Sequence, residues 1–198
     1  MNKKYEDLGN SIFEWIYISD NLIESANILR KESYHWTGKF GKIPDFRAYR
    51  ICDVVTMLYT MAIECLFKAI WLLSENKLVQ NGKFTGMNGI KSHHLPSLAK
   101  TLAQTGIISF DKNDYEILEE LTRNITSGRY PIEKNMHKQY QDFFAPSKKY
   151  EVEDNALVAK PIKSFNDIED LLKKLYDQTD PHIEKECPNY LKKTKRWD

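Results

Sequence analysis

The chain has 198 residues, enough for one domain with a sizeable hydrophobic core. Its 29 basic and 28 acidic residues leave a net charge of +1, which gives no support for a strongly basic nucleic-acid-binding protein. Three scattered cysteines exclude a disulfide framework, and the N-terminus lacks the apolar stretch of a signal peptide. We therefore expect a cytoplasmic protein in which Cys52 and Cys65 are buried thiols.

Two long helices are predicted in the first half of the chain. Apolar residues at helical spacing over 5–30 predict a helix that ends near residue 32, interrupted on its inner face only by Ser19. Its predicted inward stripe comprises Tyr5, Leu8, Ile12, Trp15, Leu22, Ala26 and Leu29. Residues 46–74 predict the central helix of a bundle, apolar on most sides. Its polar stripe comprises Thr56, Thr60, Glu64 and Lys68. The two charged residues of that stripe argue against a membrane span.

Shorter elements follow. The Asn81–Gly82 pair predicts a small hairpin. A third helix is expected over 94–105, with Pro96 in its first turn. A fourth is expected to begin near Asp111 and to stop at Gly128.

The last third is less regular. Residues 132–163 form a charged, proline-punctuated insertion that could contain a small β-hairpin. A final helix is expected from Ser164 to Pro181. The elements together predict an all-α fold, an antiparallel up-and-down bundle of about five helices. We assign it to a single domain, 1–185, with a basic tail over 186–198.

Few local motifs carry chemistry. Glu64 and Lys68 lie four residues apart on the most apolar helix, so they either form an exposed ion pair, the commoner arrangement, or line a polar groove. His93 and His94 are adjacent, so on a helix they diverge by about 100° and do not easily bind one metal ion. They fit the N-terminus of a helix better. The sequence has no HExxH, GxxxxGK[ST], GxGxxG or GxSxG motif, and we predict neither a metal nor a cofactor.

Three segments nevertheless occur in an ordered set: AIECLFKAIWLL at 62–73, SHHLPSLAKTL at 92–102 and LTRNITSGRYP at 121–131. They resemble the E-x-x-x-K-A helix, the H-[DN]-L-x-x-L helix start and the R-Y-P helix end of HEPN domains. These are small helical bundles, often encoded beside nucleotidyltransferases or in defence and toxin–antitoxin systems. The resemblance covers residues 46–131 by motif and the terminal helices only by position.

The motifs of the resemblance map onto single residues. Glu64 and Lys68 fall on the central helix of the family, and His93 falls at the start of the second motif. His94 replaces the Asp or Asn of that motif. The R-Y-P end falls on Arg129, Tyr130 and Pro131.

The chain departs from the catalytic pattern of the family. Active HEPN ribonucleases carry R-x(4–6)-H, in which the histidine transfers a proton and the arginine stabilises phosphate charge. Arg123 begins such a motif, but the three permitted histidine positions hold Gly128, Arg129 and Tyr130. From Arg129 the first histidine is His137, beyond a proline. We therefore predict that the protein is not a ribonuclease of that type.

Three functions remain open. The first is a non-catalytic, HEPN-like homodimer that binds a nucleotide, RNA or a partner protein, such as a nucleotidyltransferase or an antitoxin. The second is an endoribonuclease toxin with an atypical histidine, for which the candidates are His93, His94 and His137. The third is a purely protein–protein interaction module. For the first, the predicted ligand-binding residues are Arg123, Arg129, Tyr130, Lys68, Glu64 and His93. The two arginines have an alternative role in capping the end of the fourth helix.

Overall fold

The structure, a computed structural model, describes residues 2–39, 46–90, 93–129, 149–153, 156–160, 165–188 and 190. Side chains are described for 3–31, 51–90, 93–123, 165–188 and 190. The helices are α1 (Asn2–Gly9), α2 (Ile12–Lys39), α3 (Phe46–Leu73), α4 (Leu95–Ala103), α5 (Lys112–Arg129) and α6 (Phe165–Glu186). The strands are β1 (Val79–Gln80), β2 (Lys83–Phe84), β3 (Lys149–Glu153) and β4 (Ala156–Lys160). The described part is mostly helical, in agreement with the predicted all-α class.

Helix α3 is the central helix, because α2, α4, α5 and α6 all pack against it. The fully buried apolar side chains of its C-terminal half are Ala62, Ile63, Leu66, Phe67, Ala69 and Ile70. Its segment Ile51–Leu73 is long and apolar enough to cross a membrane by length and composition, but most of that stretch is buried inside the protein. A buried core helix has the same length and composition, and the packing of the other helices around α3 confirms the prediction of a central helix.

The N-terminal region contains two helices where one was predicted, because Asn10 leaves the helical path to bind β1. Asn10 Oδ1 accepts hydrogen bonds from the N–H groups of Leu78 and Val79 at 2.8 and 3.0 Å, and Nδ2 donates to the Val79 carbonyl at 2.8 Å. The Ser11 hydroxyl then accepts a bond from the N–H of Glu14 in the first turn of α2. The Asn10 bonds join residues that are 68 and 69 positions apart in the sequence, so apolar spacing near Asn10 does not reveal them.

The predicted inward stripe is correct in α2 and wrong in α1. Tyr5 and Leu8 are about half exposed, whereas the α2 members of the stripe pack against the core. Ser19, predicted to interrupt the stripe, is fully buried. Its hydroxyl donates to the Ala62 carbonyl at 2.9 Å and lies 3.0 Å from the Tyr176 hydroxyl. Because the hydroxyl is satisfied, burial of this serine carries little penalty.

Asn81 and Gly82 form the hairpin turn that the sequence predicts. Strands β1 and β2 pair antiparallel, with Val79 opposite Phe84. The φ angles of Asn81 and Gly82 are 52° and 71°, the left-handed conformation that a type I′ turn requires at both central residues. The N–H of Gly82 donates to the Glu6 carboxylate. Helix α1 therefore holds the hairpin at its turn, and Asn10 holds it at β1.

Helices α4 and α5 begin close to their predicted positions. Pro96 lies in the first turn of α4, as expected. Gly106 follows α4 with a φ of 76°, the left-handed conformation common after a helix end. Gly128 was predicted to stop α5, but it lies inside that helix, which ends at Arg129. A glycine costs a helix only about 1 kcal/mol relative to alanine, so it does not terminate one by itself.

Pro181 lies inside α6, which was predicted to end there. Proline removes one backbone hydrogen bond, but Ile183 beyond it is fully buried against Ile16 and Ala69. That packing stabilises the last turns of the helix. The predicted cap at Ser164 lies outside the described residues.

The insertion at 132–163 contains the predicted β-hairpin. Strands β3 and β4 pair antiparallel, with Lys149 opposite Lys160 and Glu153 opposite Ala156. Residues 130–148 and 191–198 lie outside the described residues, so the rest of the insertion and most of the basic tail keep only their sequence-based description.

Candidate functional site

A buried carboxylate lies at the centre of the candidate site. Glu64 on α3 is 6% exposed. Its Oε1 accepts a hydrogen bond from Lys68 Nζ at 2.7 Å, and its Oε2 lies 2.7 Å from His93 Nδ1. Glu64, Lys68 and His93 are called the Glu64 cluster below. Of the two arrangements left open by the sequence, the exposed ion pair is therefore wrong: Glu64 and Lys68 are mostly buried, and both carboxylate oxygens have a partner.

Aromatic rings enclose the ammonium group of Lys68. Its Nζ lies 4.5 Å from the centre of the Trp15 ring and 5.9 Å from that of Phe84, within the range of cation–π attraction. Trp15 is fixed in turn by donation from Nε1 to the Gly9 carbonyl at 3.0 Å. The charge of Lys68 is thus engaged inside the protein, and its direct contact with a ligand stays a prediction.

His93 presents its imidazole at the surface. Its side chain is 50% exposed, although the carboxylate that contacts it is almost fully buried. A carboxylate bound to one ring nitrogen fixes the orientation of an imidazole. Because Nδ1 faces Glu64, Nε2 is the nitrogen that can meet a ligand.

The partners of Glu64 determine its ionisation. Burial by itself would raise the pKa of Glu64, but the charge and hydrogen bond of Lys68 and the contacts of His93 outweigh it. The pKa is therefore lowered from its ordinary value of 4.5. The carboxylate is ionised at neutral pH and forms a neutral pair with Lys68.

Stability is expected to depend on pH through Glu64. Because its pKa is lower in the folded than in the unfolded state, the stabilisation is fully present above about pH 4.5 and is lost as pH falls through the folded-state value. The stability difference between the wild type and Glu64→Gln should therefore shrink as urea titrations move from pH 7 to pH 3. Glu116→Gln, at a half-exposed carboxylate 3.9 Å from Lys112, is the control. A difference for Glu64→Gln that stays constant over this range would contradict the expectation.

The start of α4 connects the Glu64 cluster to α5. His94 is the N-cap of α4, and its Nδ1 accepts the N–H of Ser97 at 3.3 Å. The N–H of Leu95 donates to the Thr122 hydroxyl on α5 at 3.1 Å. Arg123 follows Thr122 and is exposed. Arg123 therefore adjoins the residue of α5 that contacts the start of α4.

The remaining predicted residues are described less fully. Arg129 is the last residue of α5. Tyr130, Pro131 and His137 lie outside the described residues. Of the predicted set, the structure thus brings Glu64, Lys68 and His93 into contact, and Arg123 lies beside Thr122 on α5.

The cysteines and the metal-ligand residues add little to the site. Cys65 is buried, as predicted, and burial raises its pKa to about 11, so the thiol is neutral at physiological pH and a poor nucleophile. Cys52 is only half-buried, contrary to the prediction. Among the residues that the structure describes, no three His, Cys, Asp or Glu side chains form a group that could hold a metal ion. The titratable chemistry of the described site rests on Glu64 and His93.

Sequence reasoning missed the two aromatic residues of the site. It assigned Trp15 to the core and gave no role to Phe84. Both are distant from Lys68 along the chain, so no local spacing connects them to it. The one usable signal was the predicted hairpin, which carries Phe84 next to its turn.

Comparisons with models of protein families, with curated proteins and with solved structures find no match. The resemblance to HEPN domains therefore rests on the sequence motifs. The function has to be argued from the geometry of the Glu64 cluster and its neighbours.

Proposed function

We propose that this protein is a HEPN-like helical protein that binds a nucleotide or a short RNA beside the Glu64 cluster without cleaving it. The observation that supports the proposal is the half-exposed imidazole of His93, held in one orientation by a buried carboxylate. Arg123 lies on the adjacent stretch of α5. An imidazole nitrogen and a guanidinium group on neighbouring segments suit the oxygens of a phosphate.

The charge balance of the site is compatible with an anionic ligand. The carboxylate of Glu64 would repel a phosphate, but Lys68 neutralises it at 2.7 Å. With that pair neutral, Arg123 supplies a positive charge on α5, whereas the half-exposed carboxylate of Glu119, 3.9 Å from His94 Nε2, supplies a negative charge. A phosphate would therefore be held by hydrogen bonds and by Arg123 rather than by a large basic patch, which fits a net charge of +1.

Binding without cleavage agrees with the departure at Gly128. That residue stands at the first position where the R-x(4–6)-H motif would place its histidine after Arg123. Loss of a positioned acid or base typically reduces a rate by about 10²–10⁴-fold. We expect no cleavage of RNA by the mechanism of that motif.

A titration with matched variants tests the binding. A short fluorescent oligoribonucleotide and a fluorescent adenine nucleotide are titrated separately with the wild type, Arg123→Ala and Lys112→Ala in EDTA. Arg123→Ala should weaken binding by about tenfold. It should also reduce the slope of the logarithm of the binding constant against the logarithm of the salt concentration by about one, the value for one lost phosphate contact. Lys112, which is 93% exposed at the other end of α5, should have little effect. Absence of saturable binding to both probes would reject the proposal.

One observation favours a second candidate, a ribonuclease that uses His93. Glu64 and His93 form a carboxylate–imidazole contact of 2.7 Å, an arrangement that orients a general base in known enzymes. Cleavage of total RNA in EDTA by the wild type, abolished in His93→Gln and retained in His94→Gln, would establish this candidate and overturn binding without cleavage.

A further inference from the structure

The sequence contains two Asn–Gly pairs, Asn81–Gly82 and Asn88–Gly89. Asparagine before glycine is chemically labile, because glycine has no side chain that shields its backbone nitrogen from the asparagine amide. That nitrogen can attack the amide carbon Cγ, and the asparagine is then deamidated. Both asparagines are exposed to solvent. The sequence alone makes the two pairs equally susceptible, so only their structural surroundings can distinguish them.

The two pairs occupy the same kind of turn. The first joins β1 to β2, as described above. The second joins Met87 to Ile90, which exchange two backbone hydrogen bonds of 3.1 and 2.9 Å. The φ angles of Asn88 and Gly89 are 48° and 79°, so both are positive, as a type I′ turn requires. The backbone conformation of the turns therefore does not separate the pairs, and any difference comes from their contacts.

Deamidation in such a turn requires rotation of one peptide plane. In a type I′ turn the nitrogen of the second residue points away from the side chain of the first. Rotation of the peptide between the two residues gives a type II′ turn, in which the first residue keeps its positive φ and the second takes a negative one. The nitrogen then lies beside the asparagine side chain. Glycine adopts both signs of φ readily, so its own conformation does not oppose the rotation.

The peptide of the first pair is held by a carboxylate. The N–H of Gly82 donates a hydrogen bond to the side chain of Glu6 on α1. Rotation of the peptide would break this bond, and a hydrogen bond to a charged group is stronger than one between neutral groups. A neighbouring carboxylate also disfavours loss of the N–H proton, which must leave before the nitrogen can attack. Glu6 therefore protects Asn81.

The second pair lacks such a restraint. Among the described residues, none forms a hydrogen bond with the N–H of Gly89. A Cβ added at Gly89 would meet no atom within 4 Å, apart from its neighbours in the chain. The peptide between Asn88 and Gly89 has space to rotate, and water has access to it.

We propose that Asn88 is the residue at which this protein deamidates, whereas Asn81 is protected by Glu6. A base removes the proton of the Gly89 nitrogen, which forms a bond to Cγ of Asn88. The bond from Cγ to Nδ2 breaks, and the side-chain nitrogen takes up a proton and leaves as ammonia. Water then opens the resulting succinimide ring at either carbonyl and gives aspartate or isoaspartate. Water is consumed and ammonia released, so no oxidant or reductant is required.

The modification alters the segment between Phe84 and His93. Isoaspartate adds a methylene group to the backbone of a turn that contains only two residues between its paired ends. The pairing of Met87 with Ile90 should then be lost, although Met87 is 1% exposed and packed in the core. The deamidated protein should therefore unfold at a lower urea concentration than the intact protein.

Peptide mapping by mass spectrometry tests the proposal on the full chain, without nucleotide or RNA. The protein is incubated at mildly alkaline pH and digested, and aspartate plus isoaspartate is quantified at both positions. Asn88 should deamidate at least about tenfold faster than Asn81, the factor expected when reaction at Asn81 requires loss of a hydrogen bond to a charged group. In urea-unfolded protein the two rates should become similar, because Glu6 no longer contacts Gly82.

Variants identify the protecting residue. Glu6→Ala should raise the rate at Asn81 by about tenfold and leave the rate at Asn88 unchanged. Asp7→Ala, at the adjacent exposed carboxylate of α1, is the matched control and should change neither rate. Asn88→Gly suits the same turn and should remove the main product. Circular dichroism confirms that each variant is folded.

Three results would each overturn the proposal. The first is deamidation in the folded protein that is as fast at Asn81 as at Asn88. The second is a folded protein that stays intact at Asn88 while the unfolded protein reacts there. The third is a folded Glu6→Ala variant in which the rate at Asn81 does not rise. Because no ligand is present, these outcomes are independent of the nucleotide or RNA titration.

Discussion

Replacing Glu64 with leucine is expected to lower the free energy of unfolding by about 3 kcal/mol at neutral pH. The substitution removes the acceptor of the Lys68 ammonium and the partner of His93 Nδ1, both at 2.7 Å. The Lys68 side chain is only 16% exposed, so its charge would stay largely desolvated without a counter-charge. Urea unfolding followed by circular dichroism at pH 7 measures the difference.

A second substitution shows how much of this loss comes from the unpaired charge of Lys68 and how much from the changed packing at position 64. In Glu64→Leu, Lys68→Met both charges are gone, and the methionine can still lie against Trp15 and Phe84. We expect this double variant to be more stable than Glu64→Leu alone, since a buried pair replaced by apolar residues is often neutral in stability. The single variant Lys68→Met completes the cycle. If the stability lost in the double variant equals the sum of the losses in Glu64→Leu and Lys68→Met, the ion pair does not couple these positions.

Gly9→Ala is expected to destabilise the protein by about 2 kcal/mol, although alanine is the better helix former at the end of α1. A Cβ added at Gly9 would lie 2.4 Å from Val79 Cγ2 and 3.3 Å from Val79 Cβ. Val79 is 3% exposed and paired in β1, so it cannot move aside cheaply. The stability is thus expected to fall, whereas the intrinsic helix preference of alanine alone would raise it. Thermal or urea unfolding of Gly9→Ala measures the change.

A substitution at Val79 is the control, because Val79 carries the atoms that the added Cβ would meet. Val79→Ala removes the methyl groups that the new Cβ would meet and costs some stability itself through the lost apolar packing. If the contact is the cause, Gly9→Ala should cost clearly less in the Val79→Ala background than in the wild type. Equal costs in both backgrounds would place the cause elsewhere.

The elements that the sequence predicts correctly are those specified locally. Apolar side chains on most sides of 46–74 were enough to identify the central helix. The Asn81–Gly82 pair specified a hairpin, because few residues adopt the left-handed conformation at two successive positions. His94 at the N-cap of α4 followed from its place before a proline-containing first turn.

The errors arose where distant contacts outweigh local preference. The break between α1 and α2 depends on bonds between Asn10 and β1, which no spacing near Asn10 encodes. The continuation of α6 past Pro181 depends on burial of Ile183 against other helices. Both reflect tertiary packing that overrides propensity.

The polar residues of the candidate site could be predicted from the sequence, whereas the aromatic residues that surround them could not. The four-residue interval between Glu64 and Lys68 placed them on one face, but the same interval is common on exposed helices. Whether that face is buried depends on Trp15 and Phe84, which come from α2 and the hairpin. The resemblance to HEPN domains implied that His93 belongs to the site. Its contact with Glu64 could be seen only in the structure.

The attachment of the hairpin to α1 constrains how this fold can diverge. Asn10 and Glu6 bind the backbone of residues 78, 79 and 82, and Gly9 leaves room for Val79. A homologue with a longer or shifted hairpin would lose these bonds unless its N-terminal residues changed as well. Positions 6, 9 and 10 should therefore co-vary with 78–82 during evolution. Phe84 lies in the same hairpin and contacts Lys68. A change at positions 6, 9 or 10 that shifts the hairpin would therefore also change the surroundings of Lys68.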